Sequence, residues 1–295
     1  MAKFDLIAFD LDGTVFPEPS AKSIRPRVVA ALQAAHDAGV ITAVASGRTV
    51  GMLGPTLTGA PWVDWLITVN GACVSPAHGG DAVSERMMPR EQVRAVVSCI
   101  RSVAPGAGDN GWSLFAPGHA CFDRGLNERF RERLPEGPER ESFSFVESVL
   151  AEGGKVEEID GIDTILGELT ADIYKIGCML DTVELFDATC RELTASAHTG
   201  GLELASVGPT ELEITKAGVN KGSALGILCR HLGIDEHRAV AFGDSGNDAT
   251  FADSACTFVA MGNATPEIKA VADDICPSVK QDGVAVWLED HLGLV

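Results

Sequence analysis

The stretch Leu6-Ile7-Ala8-Phe9-Asp10-Leu11-Asp12-Gly13-Thr14 governs how the rest of the chain reads. Four consecutive apolar residues suit a short strand buried on both faces. Two carboxylates and a glycine follow at once. Residues 26–38 then carry Val28, Val29, Leu32 and Ala35 at helical spacing, with Pro26 suited to a first turn and Gly39 to a C-terminal cap. Ile41–Ala45 and Leu66–Val69 repeat the buried-strand pattern. This βαβαβ alternation predicts a doubly wound, right-handed parallel sheet of Rossmann-like α/β class.

The pattern resumes late in the chain. Residues 221–232 read as a helix with Asn220 as its N-cap. Ala239–Phe242 and Thr257–Met261 read as strands, with a brief helical piece over 247–254 between them. The middle differs, being richer in charge, glycine and polar connections. A helical period runs over 89–103, Trp112–Phe115 and Ile173–Leu180 look like strands, and Asp181–Leu193 looks like a second helix. The expected organisation is an α/β core in two pieces, 1–77 and 209–295, with an α+β unit inserted over 78–208.

Composition narrows the function. The chain has 295 residues, 23 Lys and Arg against 42 Asp and Glu, and a formal charge of −19. Such an acidic chain repels nucleic-acid backbones and anionic membranes. No window reaches the length of an apolar membrane span, and the first residues do not form a signal peptide. Eight scattered cysteines contain no C-x-x-C pair, which argues against zinc and for idle thiols in a reducing cytoplasm.

In an open parallel sheet, ligands gather at the carboxyl ends of the strands. Asp10 and Asp12 follow the first strand, Ser46-Gly47-Arg48 the second, and Asn70-Gly71 the third. Gly243-Asp244-Ser245-Gly246-Asn247-Asp248 and Gly262-Asn263 follow the two late strands. Any one of these endings suits a cap or a turn; five on one rim, with four carboxylates among them, need a positive charge between them. A hard divalent cation with oxygen ligands, Mg²⁺, meets that need and leaves room for a phosphate. Asp10, Asp12, Asp244 and Asp248 sum to −4, and Mg²⁺ with Lys221 returns +3, so a phosphate would still face a negative site. Either Asp12 carries a proton, and could then act as a general acid, or the phosphate relies on backbone N–H groups of the glycine-rich turns. Lys221 opens a helix, where the dipole disfavours a cation, so its place suggests a functional reason.

These residues together resemble the haloacid dehalogenase superfamily of phosphotransferases. The motifs are Asp10-Leu11-Asp12-Gly13-Thr14, Ser46 in Ala45-Ser46-Gly47-Arg48, Lys221 in Val219-Asn220-Lys221-Gly222, and Gly243 to Asp248. The Ser-Gly-Arg, Asn-Gly and Asn-Lys-Gly forms are similar to the Cof-type subgroup, whose large α/β cap follows the third strand. The resemblance implies Asp10 as nucleophile through an aspartyl-phosphate, and Asp12 as acid and then base. It implies a magnesium held by Asp10, the Asp12 carbonyl and Asp244. Ser46, Gly47, Arg48, Lys221 and Asn247 would contact phosphate or substrate, with Asp248 and Asn70 in support. For Arg48, an ion pair that fixes its loop reads equally well.

The carboxylate at Asp12 favours phosphate over halide chemistry. The expected activity is a Mg²⁺-dependent phosphatase on a small phosphate ester, a sugar phosphate or phosphorylated cofactor, in a monomer or homodimer. A sugar phosphomutase and a non-catalytic phosphate-binding module are the alternatives. In the insert, Arg124, Lys175 and His119 could reach a substrate, though each reads first as a surface residue, and Trp112 and Phe115 read as insert core.

Overall fold

The computed structural model describes residues 4–17, 23–105, 111–132, 136–137, 144–151, 155–169, 171–196 and 199–292. The chain divides into two compact units. One comprises Met1–Arg48, Pro55–Glu85 and Val219–Val295; the other comprises Thr49–Gly54 and Arg86–Gly218.

The first unit is built on β1 (Leu6–Phe9), β2 (Ile41–Ala45), β3 (Trp65–Thr68), β4 (Cys73–Pro76) and β5 (Ser84–Glu85). The chain returns to it in β12 (Ala239–Gly243), β13 (Thr257–Ala260) and β14 (Asp274–Ile275). Their order is β14-β13-β12-β1-β2-β3-β4-β5. Strands β14 through β3 run parallel, while β4 and β5 fold back antiparallel at the edge. Every residue of β1 is buried, as the unbroken apolar run requires. The order reverses at β1, where β2 lies on one side and β12 on the other, which creates the crevice at which doubly wound sheets bind ligands.

Helix Pro26–Asp37 starts on its proline and buries Val28, Ala31, Leu32 and Ala35. Val29, expected on that face, is only half-buried, and Ala31 takes the place. Leu32 is fully buried, so Leu32→Ala costs about 2–5 kcal/mol. The brief helical piece expected over 247–254 is the single 3₁₀ turn Ala249–Asp253.

The second unit carries β6 (Trp112–Ala116), β7 (His119–Asp123), β8 (Val156–Ile159), β9 (Lys175–Met179), β10 (Leu202–Gly208) and β11 (Glu211–Lys216). Their order is β10-β11-β9-β6-β7-β8. Helices Arg90–Val103 and Val183–Ala195 pack on one face. Val93, Val97, Ile100, Trp112, Leu114, Ile176, Leu212 and Ile214 form the core there. Strand alternation sends Phe115 and Lys175 to the other face. Phe115 is buried there, edge-on to Phe122, with ring centroids 5.7 Å apart.

The sequence limits of 77 and 208 fall inside these units for a physical reason. Strand β4 pairs back along β3, so the first sheet runs on to Glu85. Gly208-Pro209-Thr210 is the turn joining β10 to β11, not a linker between units. Arg124 is a surface residue paired with Glu158 and Asp160. Lys175 is not: it is buried against Glu213. The side chain of His119 lies outside the described residues. All eight cysteines are free thiols.

Candidate active site

Strand β1 delivers Asp10 to the crevice, and the Asp10 N–H donates to the Phe242 carbonyl of β12 at 3.0 Å. Asp10 is 5% exposed. Lys221, at the first turn of helix Lys221–Leu232, donates to Asp10 Oδ1 and to Asp248 Oδ1, each at 2.7 Å. The helix starts where it does because Asn220 and Ser223 form a reciprocal capping box. A side chain at Gly222 would begin 1.9 Å from the Thr250 carbonyl oxygen, so only glycine lets this turn approach the Asp248 loop. The dipole cost anticipated for Lys221 is thus met by two carboxylates.

Asp248 is fully buried and organises the loop after β12. Its Oδ2 accepts from the backbone N–H of Asp244 at 2.9 Å and of Ser245 at 3.0 Å. Asp244 is held at both oxygens. Thr14 donates to Oδ1 at 3.2 Å, and Asn263 donates to Oδ2 at 3.3 Å and to the Gly13 carbonyl at 2.8 Å. Gly13 has φ +83°, and a Cβ there would fall 2.2 Å from Asp244 Oδ2, so the first loop and the Asp244 carboxylate fit only around a glycine.

Carboxylate oxygens of Asp10, Asp244 and Asp248 lie within 4.8 Å of one another. Burial, with the neighbouring acids, holds Asp10 well above the ordinary carboxylate range. Burial, with Asp248, pushes Asp244 up to about 7. Burial alone would lower the Lys221 ammonium, but the facing Asp10 and Asp248 outweigh it and hold it above the usual lysine value. Three acids against one lysine leave a deficit of two charges in oxygen ligands only, which fits a hard divalent cation. Asp12 stands outside this count. Its carboxylate takes a bidentate pair from Arg48, Nε to Oδ2 at 3.0 Å and Nη2 to Oδ1 at 2.7 Å. The sequence-level charge sum omitted Arg48. With Arg48 and a divalent ion the sum is zero while Asp12 is ionised, and +1 once Asp12 carries the proton it is to give up.

On the β2 and β3 side, the Ser46 N–H donates to the Ile67 carbonyl, and Ser46 Oγ accepts from the Arg48 N–H at 3.2 Å. The hydroxyl proton is thereby directed away from this contact. Gly47 is half-buried in the same turn. Val69 and Asn70 adopt φ +52° and +57°, a left-handed conformation that costs on the order of 1–3 kcal/mol per residue. It is held by Val69 N–H to Arg48 O and Asn70 N–H to Ser46 O. The turn aims Asn70 Oδ1 at Asn247 Nδ2, 3.3 Å away.

The family model of haloacid dehalogenase-like hydrolases matches residues 7–288. The chain belongs to this family. It is 26% identical over 286 residues to a phosphoglycolate phosphatase of Methanobrevibacter smithii, covering 97% of each chain. A 131-residue stretch, 44% of this chain, is 34% identical to the chloroplastic endoribonuclease YBEY of Arabidopsis thaliana but spans only 22% of that protein. Among solved structures, a subclass IIB sugar phosphatase of the same superfamily superposes with a TM-score of 0.76 at 21% identity, covering 99% of this chain and 100% of its own. The family match and the phosphatase relative support the class of phosphoric monoester hydrolase.

Asp10, Ser46, Asn70, Lys221, Asp244, Asn247 and Asp248 lie around one crevice within the first unit. Thr14, read only as part of the first motif, and Asn263, placed on the rim without a role, both bond the Asp244 carboxylate. The visible signal for both was their place at the same rim as Asp244.

Proposed function

We propose that the protein is a Mg²⁺-dependent phosphatase that hydrolyses a small phosphorylated metabolite, a sugar phosphate or a phosphorylated cofactor, through an aspartyl-phosphate. The observation that carries this reading is the buried Asp10 carboxylate, held by Lys221 beside Asp244. Asp10 attacks phosphorus, forming an acyl phosphate as the ester P–O bond breaks, and Asp12 gives its proton to the departing alkoxide. Asp12 then takes a proton from water, which displaces Asp10 and releases phosphate. Ser46 and Lys221 hold phosphoryl oxygens, and Asn70 and Asn247 brace that side of the crevice.

Asp10, the Asp12 carbonyl and Asp244 would hold the cation. When bound, it offsets the negative charge of the transferring group. Both carboxylates of Asp244 and Asp10 are preplaced for this by Thr14, Asn263 and Lys221, in the manner of outer partners that orient metal ligands. Among the described residues no helix is long and apolar enough to cross a membrane, and the free thiols suit the expected cytoplasmic location.

The test is acid quench after mixing with a panel of sugar phosphates and Mg²⁺. A phosphorylated protein that hydroxylamine strips, and that accumulates in Asp12→Asn, supports the reading. Phosphate release without any covalent phosphate on the chain overturns it.

A further inference from the structure

Arg48 presents an arrangement that phosphate binding does not require. Its side chain is 8% exposed, whereas that of Asp12 is 42% exposed. The buried partner is therefore the guanidinium, and the carboxylate is the group being held. The anchor is itself fixed. The Arg48 backbone N–H donates to Ser46 Oγ, its carbonyl accepts from Val69, and its guanidinium carbon lies 5.5 Å from the Phe16 ring centroid. Phe16 closes the same loop that carries Asp12, its N–H donating to the Leu11 carbonyl at 2.7 Å. A half-exposed aspartate unaided would sample several staggered rotamers. Two parallel bonds from a rigid fork select one.

We infer that Arg48 is a positioning residue that aims the Asp12 carboxyl at the leaving oxygen, so that the enzyme handles alkyl phosphates, whose alkoxides need a proton, far better than it would without Arg48. This rests on the proposed roles of Asp10 and Asp12. Of the two sequence readings of Arg48, it develops the ion pair and sets aside the phosphate contact. A residue that grips phosphate affects every ester alike. A residue that aims a proton matters only where the leaving group is poor. An alkoxide of a sugar or glycerol leaves with a proton that Asp12 has first taken up from solvent, which returns Asp12 to the carboxylate that the Arg48 fork holds. A p-nitrophenolate leaves as the anion, and the remaining atoms and electrons move identically in the two cases.

The test measures alcohol release in the first turnover, before the phosphorylated enzyme is hydrolysed, with β-glycerophosphate and with p-nitrophenyl phosphate. For Arg48→Ala, the β-glycerophosphate rate is expected to fall about 10²-fold, the lower end of what general acids contribute. The p-nitrophenyl rate is expected to fall less than about 5-fold. Arg48→Lys keeps the charge but not the fork, and should give an intermediate loss with the same bias against the alkyl ester. It serves as the reporter should the alanine variant fold poorly. Equal losses on the two esters, or a rise in KM alone, would assign Arg48 to phosphate binding or to the fold and overturn the inference, as would no loss at all. A wild-type protein that releases neither alcohol would instead defeat the phosphatase reading, a distinct result.

Discussion

The molecule buries two lysines, and their settings differ. Lys221 is 0% exposed and meets two carboxylates from separate strand ends, with a third acid close by. Lys175 is 1% exposed, meets the carboxylate of Glu213 on the adjacent strand, and lies 4.0 Å from the Phe115 ring centroid. The second is an ion pair of one lysine with one glutamate on neighbouring strands. The first leaves negative charge that a bound cation, or a proton on one of the acids, must offset. A buried lysine is therefore no mark of catalysis; a surplus of acids around it is.

That contrast can be broken at several points. Asp10→Asn removes the nucleophile while keeping its size, and should lower phosphate release by about 10³-fold or more with the thermal melt little changed. Near-normal release would end the contrast at its root. Lys221→Met strips the cation from two buried acids. It should destabilise the protein by about 3–5 kcal/mol in urea melts and abolish turnover. By comparison, the double change Lys175→Met with Glu213→Leu removes both partners of an ion pair. Stability should be neutral or rise by about 1–4 kcal/mol, with kcat within about twofold. A collapse of kcat in that double variant would move Lys175 into the chemistry.

The acid surplus also sets a pH dependence. Asp244, pushed up to about 7 by burial, carries a proton below that pH when no metal is bound. A cation must displace it, so apparent Mg²⁺ affinity should weaken by about tenfold or more per pH unit as the pH falls below 7. Titrating activity with Mg²⁺ at several pH values checks this, and an affinity that stays flat from acid to neutral pH contradicts it. The smallest effect compares two helix caps. Asn220 caps the Lys221 helix and Thr182 caps helix Val183–Ala195. Alanine at either should cost about 1 kcal/mol. Only Asn220→Ala should also lower kcat, by a few-fold, because Lys221 begins that helix.

Much of this was legible in the residues. Strand ends in a parallel sheet can be read directly from apolar runs, and the residues after them must share a rim, so Asp10, Ser46, Asn70 and Asp244 could be placed without coordinates. The Arg48–Asp12 pair could not, because it depends on the rotamers of two side chains from different loops. Strand β11 is not legible in the sequence, since Gly208-Pro209 reads equally as linker or hairpin turn until the pairing partner is known. Lys175 offered a signal that went unused. A charge inside Ile173-Tyr174-Lys175-Ile176-Gly177-Cys178 must either face water or find a partner, and in a central strand it found Glu213.

Asp10 and Lys221 touch across 211 positions of chain. During synthesis the nucleophile therefore leaves the ribosome long before its lysine, its aspartate loop or the two strands that flank that loop. Because domains tend to fold as units, the intervening unit can settle first, while the early loop waits without β12 beside it. A nascent chain thus holds every residue of the first motif yet lacks hydrolytic power until its final quarter has emerged.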